Sequence, residues 1–210
     1  MKSTGLKMSN LTALVLAALL SAGCIPLAIE AGKKAWEDRS TEDQVTDGKI
    51  YGGILSRLSD KDKNLLLDVS ADVWEGRVLL TGTLDSRKAH REVVSLVRRD
   101  KRIRKLYDEV RIVTKAEKER RRKQREARKG KKEEGGAVDD FWIETKISAR
   151  LLTTKGVTSV NFRWRSVGYR VFTIGRARSV WERDTVLRVI RETKGVKSVK
   201  HFIQVKPLKK

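Results

Sequence analysis

The chain repeats itself at a fixed offset of 93 residues, which restricts the fold to two copies of one small unit. Asp47, Ile50, Ile54 and Leu58 correspond to Asp140, Ile143, Ile147 and Leu151, and Val78 and Gly82 to Val171 and Gly175. Val93, Leu96 and Val97 correspond to Val186, Val189 and Ile190, and Ile103, Leu106 and Val110 to Val196, Val199 and Ile203. One offset serves four elements. A period this long exceeds a solenoid unit, so it marks tandem domains.

Each unit reads as αββαβ. Ile143, Ile147 and Leu151 stand at i, i+4 and i+8, an apolar helical stripe. The first copy is a weaker helix, because Gly52 and Gly53 each cost about 1 kcal/mol relative to Ala. Two strands follow: Leu67 to Trp74 and Arg77 to Thr81 in copy one, about Ser159 to Arg165 and Tyr169 to Ile174 in copy two. Their turns fall at Glu75-Gly76 and near Gly168, one residue off the period, which predicts turns of unequal length. Gly82 and Gly175 are expected to end the hairpins, where a residue without Cβ takes φ > 0. Second helices are predicted over Ser86 to Arg99 and Ser179 to Thr193, the latter opened by the capping box Ser179-Val180-Trp181-Glu182. Closing strands are predicted over Lys105 to Val113 and Ser198 to Val205. The fold class is α+β, with a helix pair on one face of each sheet. The domains are placed at residues 47–114 and 139–206.

Between them, Lys115 to Gly136 carries eleven basic and five acidic residues and almost nothing apolar. It cannot build a core, so 115–138 reads as a basic, solvated linker, with partial helix supported by Glu–Lys/Arg neighbours and broken at Gly130 and Gly135-Gly136. The whole chain has a net charge of +21, which attracts polyanions: nucleic acid or anionic lipid headgroups.

The N-terminus has a Lys2 and Lys7 head, an apolar run from Leu11 to Leu20, then Ser21-Ala22-Gly23-Cys24. The run is too short to span a bilayer, which takes about 20 residues, and suits a signal-peptide core. Cys24, the only cysteine, follows small residues in a pattern that resembles the lipobox of bacterial lipoproteins, although Ser21 stands where that family usually has Leu. The resemblance implies a signal peptide over 1–23, acylation of Cys24 and a tether over 24–46. An ordinary cleaved signal or an uncleaved anchor is the alternative.

The repeated unit resembles the BON domain. An Asp precedes each first helix, the hairpin reads Gly76-Arg77-Val78-Leu79-Leu80-Thr81-Gly82, and the unit closes on Gly195-Val196-Lys197-Ser198-Val199. In copy one the closing motif reads Lys101-Arg102-Ile103, without the glycine. Two such units behind a lipobox resemble dual-BON outer-membrane lipoproteins. That resemblance implies lipid-anchored, periplasm-facing attachment to the outer membrane and no catalysis. It also implies anionic phospholipid binding through the first helix of domain 2, and a role in envelope integrity. Ile25 and Pro26, in place of Asp, fit outer-membrane sorting in that family.

The residues point to the same helix. With Ile143, Ile147 and Leu151 against the core, Trp142, Lys146 and Arg150 fall on an adjoining flank, with Leu152 at its far edge and Phe141 beside Trp142. A Trp ring suits the headgroup boundary, and each cation near an anionic surface adds about 1 kcal/mol. The alternative is that Trp142 and Leu152 fill an inter-domain gap or cap the core. Trp74, Trp164 and Trp181 are expected in the core or on a sheet surface, and Asp139-Asp140 as helix-start charge. His90 and His201 have no metal-ligand spacing, and no cofactor, metal or small-molecule substrate is expected. Anionic membrane is the expected partner, with an envelope protein possible and no nucleic acid expected. The rival readings are an adaptor lipoprotein that docks a protein, and a basic nucleic-acid binder.

Overall fold

Ser40 opens the first helix. Its hydroxyl accepts the Asp43 N–H at 3.0 Å, and helix α1 runs over Thr41–Lys61. Ile50, Ile54 and Leu58 line its buried face despite the glycines. Gly48 and Gly52 are exposed, and a Cβ at either would meet nothing within 4 Å. Alanine at each is expected to stabilise the protein by about 0.5–1 kcal/mol, read as a rise in the urea midpoint. No change would mean the helix is not closed there in solution.

The computed structural model describes residues 37–127 and 140–208. The signal region, Cys24 and the linker from 128 to 139 lie outside the described residues. After α1 come α2 (Leu65–Asp68), β1 (Val69–Trp74), β2 (Arg77–Leu84), α3 (Arg87–Arg98), β3 (Lys105–Ile112) and α4 (Lys115–Ala127). The second copy has α5 (Asp140–Thr153), a single 3-10 turn (Ser159–Asn161), β4 (Phe162–Ser166), β5 (Arg170–Ala177), α6 (Val180–Arg191) and β6 (Ser198–Val205). Each copy builds a three-stranded sheet with its second strand in the middle, antiparallel to the first and parallel to the third. Two helices cover one face. Copy one buries Ile50, Ile54 and Leu58 with Val78, Leu80 and Val93. Copy two buries Ile143, Ile147 and Leu151 with Phe162, Val186 and Ile190.

The structure corrects several expectations. The first strand of each copy begins later than predicted, because Leu65–Asp68 is helical and Ser159–Asn161 forms a 3-10 turn. The two hairpin turns are equal in length. Trp74 pairs with Arg77 around Glu75-Gly76, and the Val167 N–H bonds the Arg170 carbonyl around Gly168-Tyr169. All four turn residues have φ between 49° and 70°. A two-residue turn of this kind needs left-handed backbone at both positions, so its glycine serves at either one. Gly82 and Gly175 end the hairpins as expected: each pairs with the first residue of the preceding strand, Val69 or Phe162, at φ 132° and 154°. They lie within β2 and β5, where a Cβ would come 2.1 Å from the Asp68 carbonyl oxygen and 2.2 Å from that of Asn161.

Two charged segments are also built in more tightly than expected. Residues 38–46, read as part of a tether, include the start of α1 and a clasp at Asp38. The Asp38 carboxylate accepts from Arg178 Nε and Nη2 at 2.7 and 2.9 Å and from Asn161 Nδ2 at 2.8 Å. Arg178 holds the Asp38 carboxyl below the usual carboxylate range. The first half of the basic linker is helix α4. Lys118 Nζ reaches Asp68 and Asp85 at 3.0 and 3.1 Å, and Arg122 forks onto Asp68 at 2.9 and 2.6 Å. Charge pairing does there what apolar residues could not.

The residues from Asp38 on belong to one compact unit, because the two sheets share their uncovered faces. Trp74, Leu79, Val167, Phe172 and Ile174 form a third core, with Tyr107 and Phe202 stacked at 4.1 Å between centroids. Arg77 donates to the carbonyls of Phe202 and Gly175 at 2.8 and 3.0 Å, and Arg165 forks onto Asp72 at 3.0 and 3.2 Å. Burial pushes the Asp72 carboxyl up against the pull of Arg165. The layers run helices, sheet, sheet, helices.

Candidate lipid-binding face

Helix α5 is fixed before it presents anything. Asp140 at its start is not simply dipole charge: it accepts the N–H groups of Gly168 and Tyr169 at 2.7 and 2.8 Å and the Ser166 hydroxyl at 2.7 Å. Asp47 does the same in copy one, accepting from Glu75 and Gly76 at 2.6 and 2.7 Å. Each Asp therefore ties its first helix to its hairpin turn. Glu144 turns inward as well, accepting the Ser166 N–H at 2.7 Å, and burial raises its carboxyl.

The outward stripe of α5 is apolar at both ends. Phe141 is 58% exposed and Leu152 76%. Phe141 packs edge-to-face on Trp142 with centroids 5.2 Å apart, and Trp142 and Lys146 are half-buried along the flank. Thr145 and Thr153 lie on the exposed side, and their hydroxyls donate back to the carbonyls of Phe141 and Ala149 at 3.0 and 3.2 Å. Hydroxyls already satisfied lower the cost of leaving water.

Arg150, expected on the headgroup flank, also has internal partners. Its Nη1 donates to the Val189 carbonyl and Thr193 Oγ1 at 3.0 and 3.1 Å, and its Nη2 lies 3.2 Å from Glu192. It braces α5 against the end of α6. So the structure brings Phe141, Trp142, Lys146 and Leu152 onto one side of the helix, while Arg150, its side chain 39% exposed, reaches across to the end of α6.

Trp74 is fully buried, between the guanidinium groups of Arg39 and Arg163 at 4.3 and 5.4 Å. Trp164 is half-buried against the second core. Trp181 departs from expectation: it is 59% exposed on the first turn of α6. Its ring covers Gly156, where a Cβ would come within 2.7 Å, four residues beyond Leu152. The signal lay in the capping box. Ser179 accepts the Glu182 N–H at 3.1 Å, while the Glu182 carboxylate turns to the N–H groups of Thr158 and Arg178 at 2.7 and 2.6 Å. That places residue 182 inward and its neighbour outward.

Among the described residues, no helix is long and apolar enough to cross a membrane, and no three His, Cys, Asp or Glu side chains are placed to hold a metal ion. The BON domain family model matches residues 46–114 and 139–207, one match per copy and together most of the chain. The chain belongs to the BON domain family. Its two BON domains each carry the Asp-to-turn tie and the mid-strand glycine described above. BON domains are known to bind phospholipid and occur in envelope proteins. A relative, an uncharacterized protein in the gshII 5′ region of Anaplasma centrale, is 28% identical over 142 residues, covering 66% of this chain and 82% of its own. Two solved structures of CdsD, a structural protein of the type III secretion system of Chlamydia trachomatis, are more distant. One is 10% identical with a TM-score of 0.30, covering 74% of this chain and 91% of its own. The other, the C-terminal domain, is 12% identical with a TM-score of 0.28, covering 77% and 67%.

Proposed function

We propose that this protein is a non-catalytic, lipid-anchored envelope protein that lays helix α5 of its second BON domain on anionic phospholipid and supports outer-membrane integrity. The observation that carries the reading is the pairing of Phe141 and Leu152, both large, apolar and exposed, on one helix flanked by Trp142 and Lys146. A soluble surface gains nothing by displaying them, whereas a headgroup layer takes up both rings and the leucine. The net charge of +21 supplies long-range attraction to an anionic leaflet. An acylated Cys24 would supply the tether that raises local concentration.

Cosedimentation with vesicles containing phosphatidylglycerol tests it. Burying a leucine side chain stabilises by about 1.5–3 kcal/mol. Leu152→Glu is therefore expected to lower partitioning roughly tenfold or more at an unchanged urea midpoint, since the residue supports no core. Arg150→Ala is expected to lower the midpoint. Undiminished vesicle binding by a Leu152→Glu, Trp142→Glu double variant would refute the lipid face. The mass of the mature N-terminal peptide tests the anchor: an unmodified Cys24 removes it.

A further inference from the structure

We infer that the first BON domain carries a separate binding site for a phosphate-bearing anion, in the cleft between helices α1 and α3. The cleft measures about 560 Å³ and is walled on one side by Arg57, Asp60 and Lys61 and on the other by Arg91, Ser95 and Arg99. Glu92 and Leu96 complete it. The acidic residues are already occupied: Glu92 lies 3.3 Å from Lys61 Nζ, and Asp60 accepts the Ser56 hydroxyl at 3.3 Å. Arg91 on α3 and Arg99, which caps the end of that helix, are both exposed and form no ion pair among the described residues.

Arg57 is the third cation and is poorly matched. Its Nε is out of solvent with no hydrogen-bond acceptor. Its one carboxylate neighbour, Asp100, stands 3.4 Å from Nη2 and is held more closely by Arg102, at 2.8 Å from Nε and 2.7 Å from Nη2. A rotation of the Arg57 guanidinium toward an incoming anion would give Nε the acceptor it lacks. Guanidinium forks match phosphate oxygens in geometry and charge.

In the second copy the corresponding arginine is satisfied internally. Arg57 corresponds to Arg150, and Arg99 to Glu192. In copy two the arginine meets that glutamate at 3.2 Å, together with Thr193 Oγ1 and the Val189 carbonyl. Asp184 stands where copy one has Arg91. The same position thus carries an internal carboxylate in one domain and an unpaired cation in the other. This site is independent of the α5 face, lies on another domain, and takes a charged group rather than an apolar insertion.

The test uses the full chain, with amide shifts of α1 and α3 followed as inorganic phosphate, then glycerol 3-phosphate, is added. Saturable shifts confined to the cleft are expected, and Arg99→Glu is expected to weaken binding at least tenfold while holding or raising the thermal midpoint by pairing with Arg57. Lys88→Ala, outside the cleft, is expected to leave binding unchanged. If soluble phosphate also displaces the chain from phosphatidylglycerol vesicles, the ligand is a lipid headgroup. If it saturates the cleft without displacement, the ligand is a soluble phosphate compound. Shifts that do not saturate, or that persist in Arg99→Glu, overturn the site.

Discussion

Asp47→Ala is expected to destabilise the protein by about 3–5 kcal/mol, enough to unfold the first BON domain at mild urea concentrations. The side chain is almost wholly buried and holds three partners: the N–H groups of Glu75 and Gly76 and the guanidinium of Arg39. Removing it orphans two backbone donors at a left-handed turn and takes a close carboxylate partner from the equally buried Arg39 guanidinium. A buried ion pair contributes little net stability over an apolar substitute, but breaking one is costly. The internal control is Asp140→Ala. Asp140 ties the corresponding turn but is more exposed and only 3.6 Å at closest from Arg121, so its loss is expected to cost about 1–3 kcal/mol. Urea unfolding followed by tryptophan fluorescence reads both, since Trp74 lies over Arg39. Adding Arg39→Met to Asp47→Ala should recover part of the loss. A single variant within 1 kcal/mol of the parent would show that the turn holds itself.

The repeat made most of this architecture legible. A constant offset across four elements forces equal units, and the apolar positions it aligns are the ones that line both cores. What stayed hidden depends on non-local pairing. The two turns read as unequal because a glycine was sought at one position, whereas two left-handed residues form the turn and either can be glycine. Helix α4 has no apolar stripe and is held by Lys118 and Arg122 on Asp68, a pairing that composition does not reveal. The shared sheet face was present in the continuous run Val78-Leu79-Leu80, since a strand buried on both sides loses its alternation. The α5 face was legible as a stripe. The internal bonds of Arg150 were not legible, because helical angle alone does not show that α6 ends beside it, offering Glu192 and Thr193.

Gly175→Ala is the substitution expected to damage the second domain most per atom added, with a loss of about 3 kcal/mol or more. One methyl group would stand 2.2 Å from the Asn161 carbonyl oxygen and 2.9 Å from the Phe162 Cα, and backbone has no rotamer by which to yield. Strand β4 must separate from β5, stretching the pairing of Phe162 with Gly175 and moving the carbonyl that Arg77 grips from the other domain. The same shift reaches α5, because Ser166 on β4 holds both Asp140 and Glu144. Vesicle binding and stability should therefore fall together in Gly175→Ala, whereas Leu152→Glu lowers binding alone. Gly82→Ala, with 2.1 Å to the Asp68 carbonyl oxygen, is expected to match it in stability loss while sparing vesicle binding under conditions where the second domain remains folded. Urea midpoints for the two glycine variants that stay near the parent value would mean that the strands already stand further apart in solution, and that these glycines serve some purpose other than close approach.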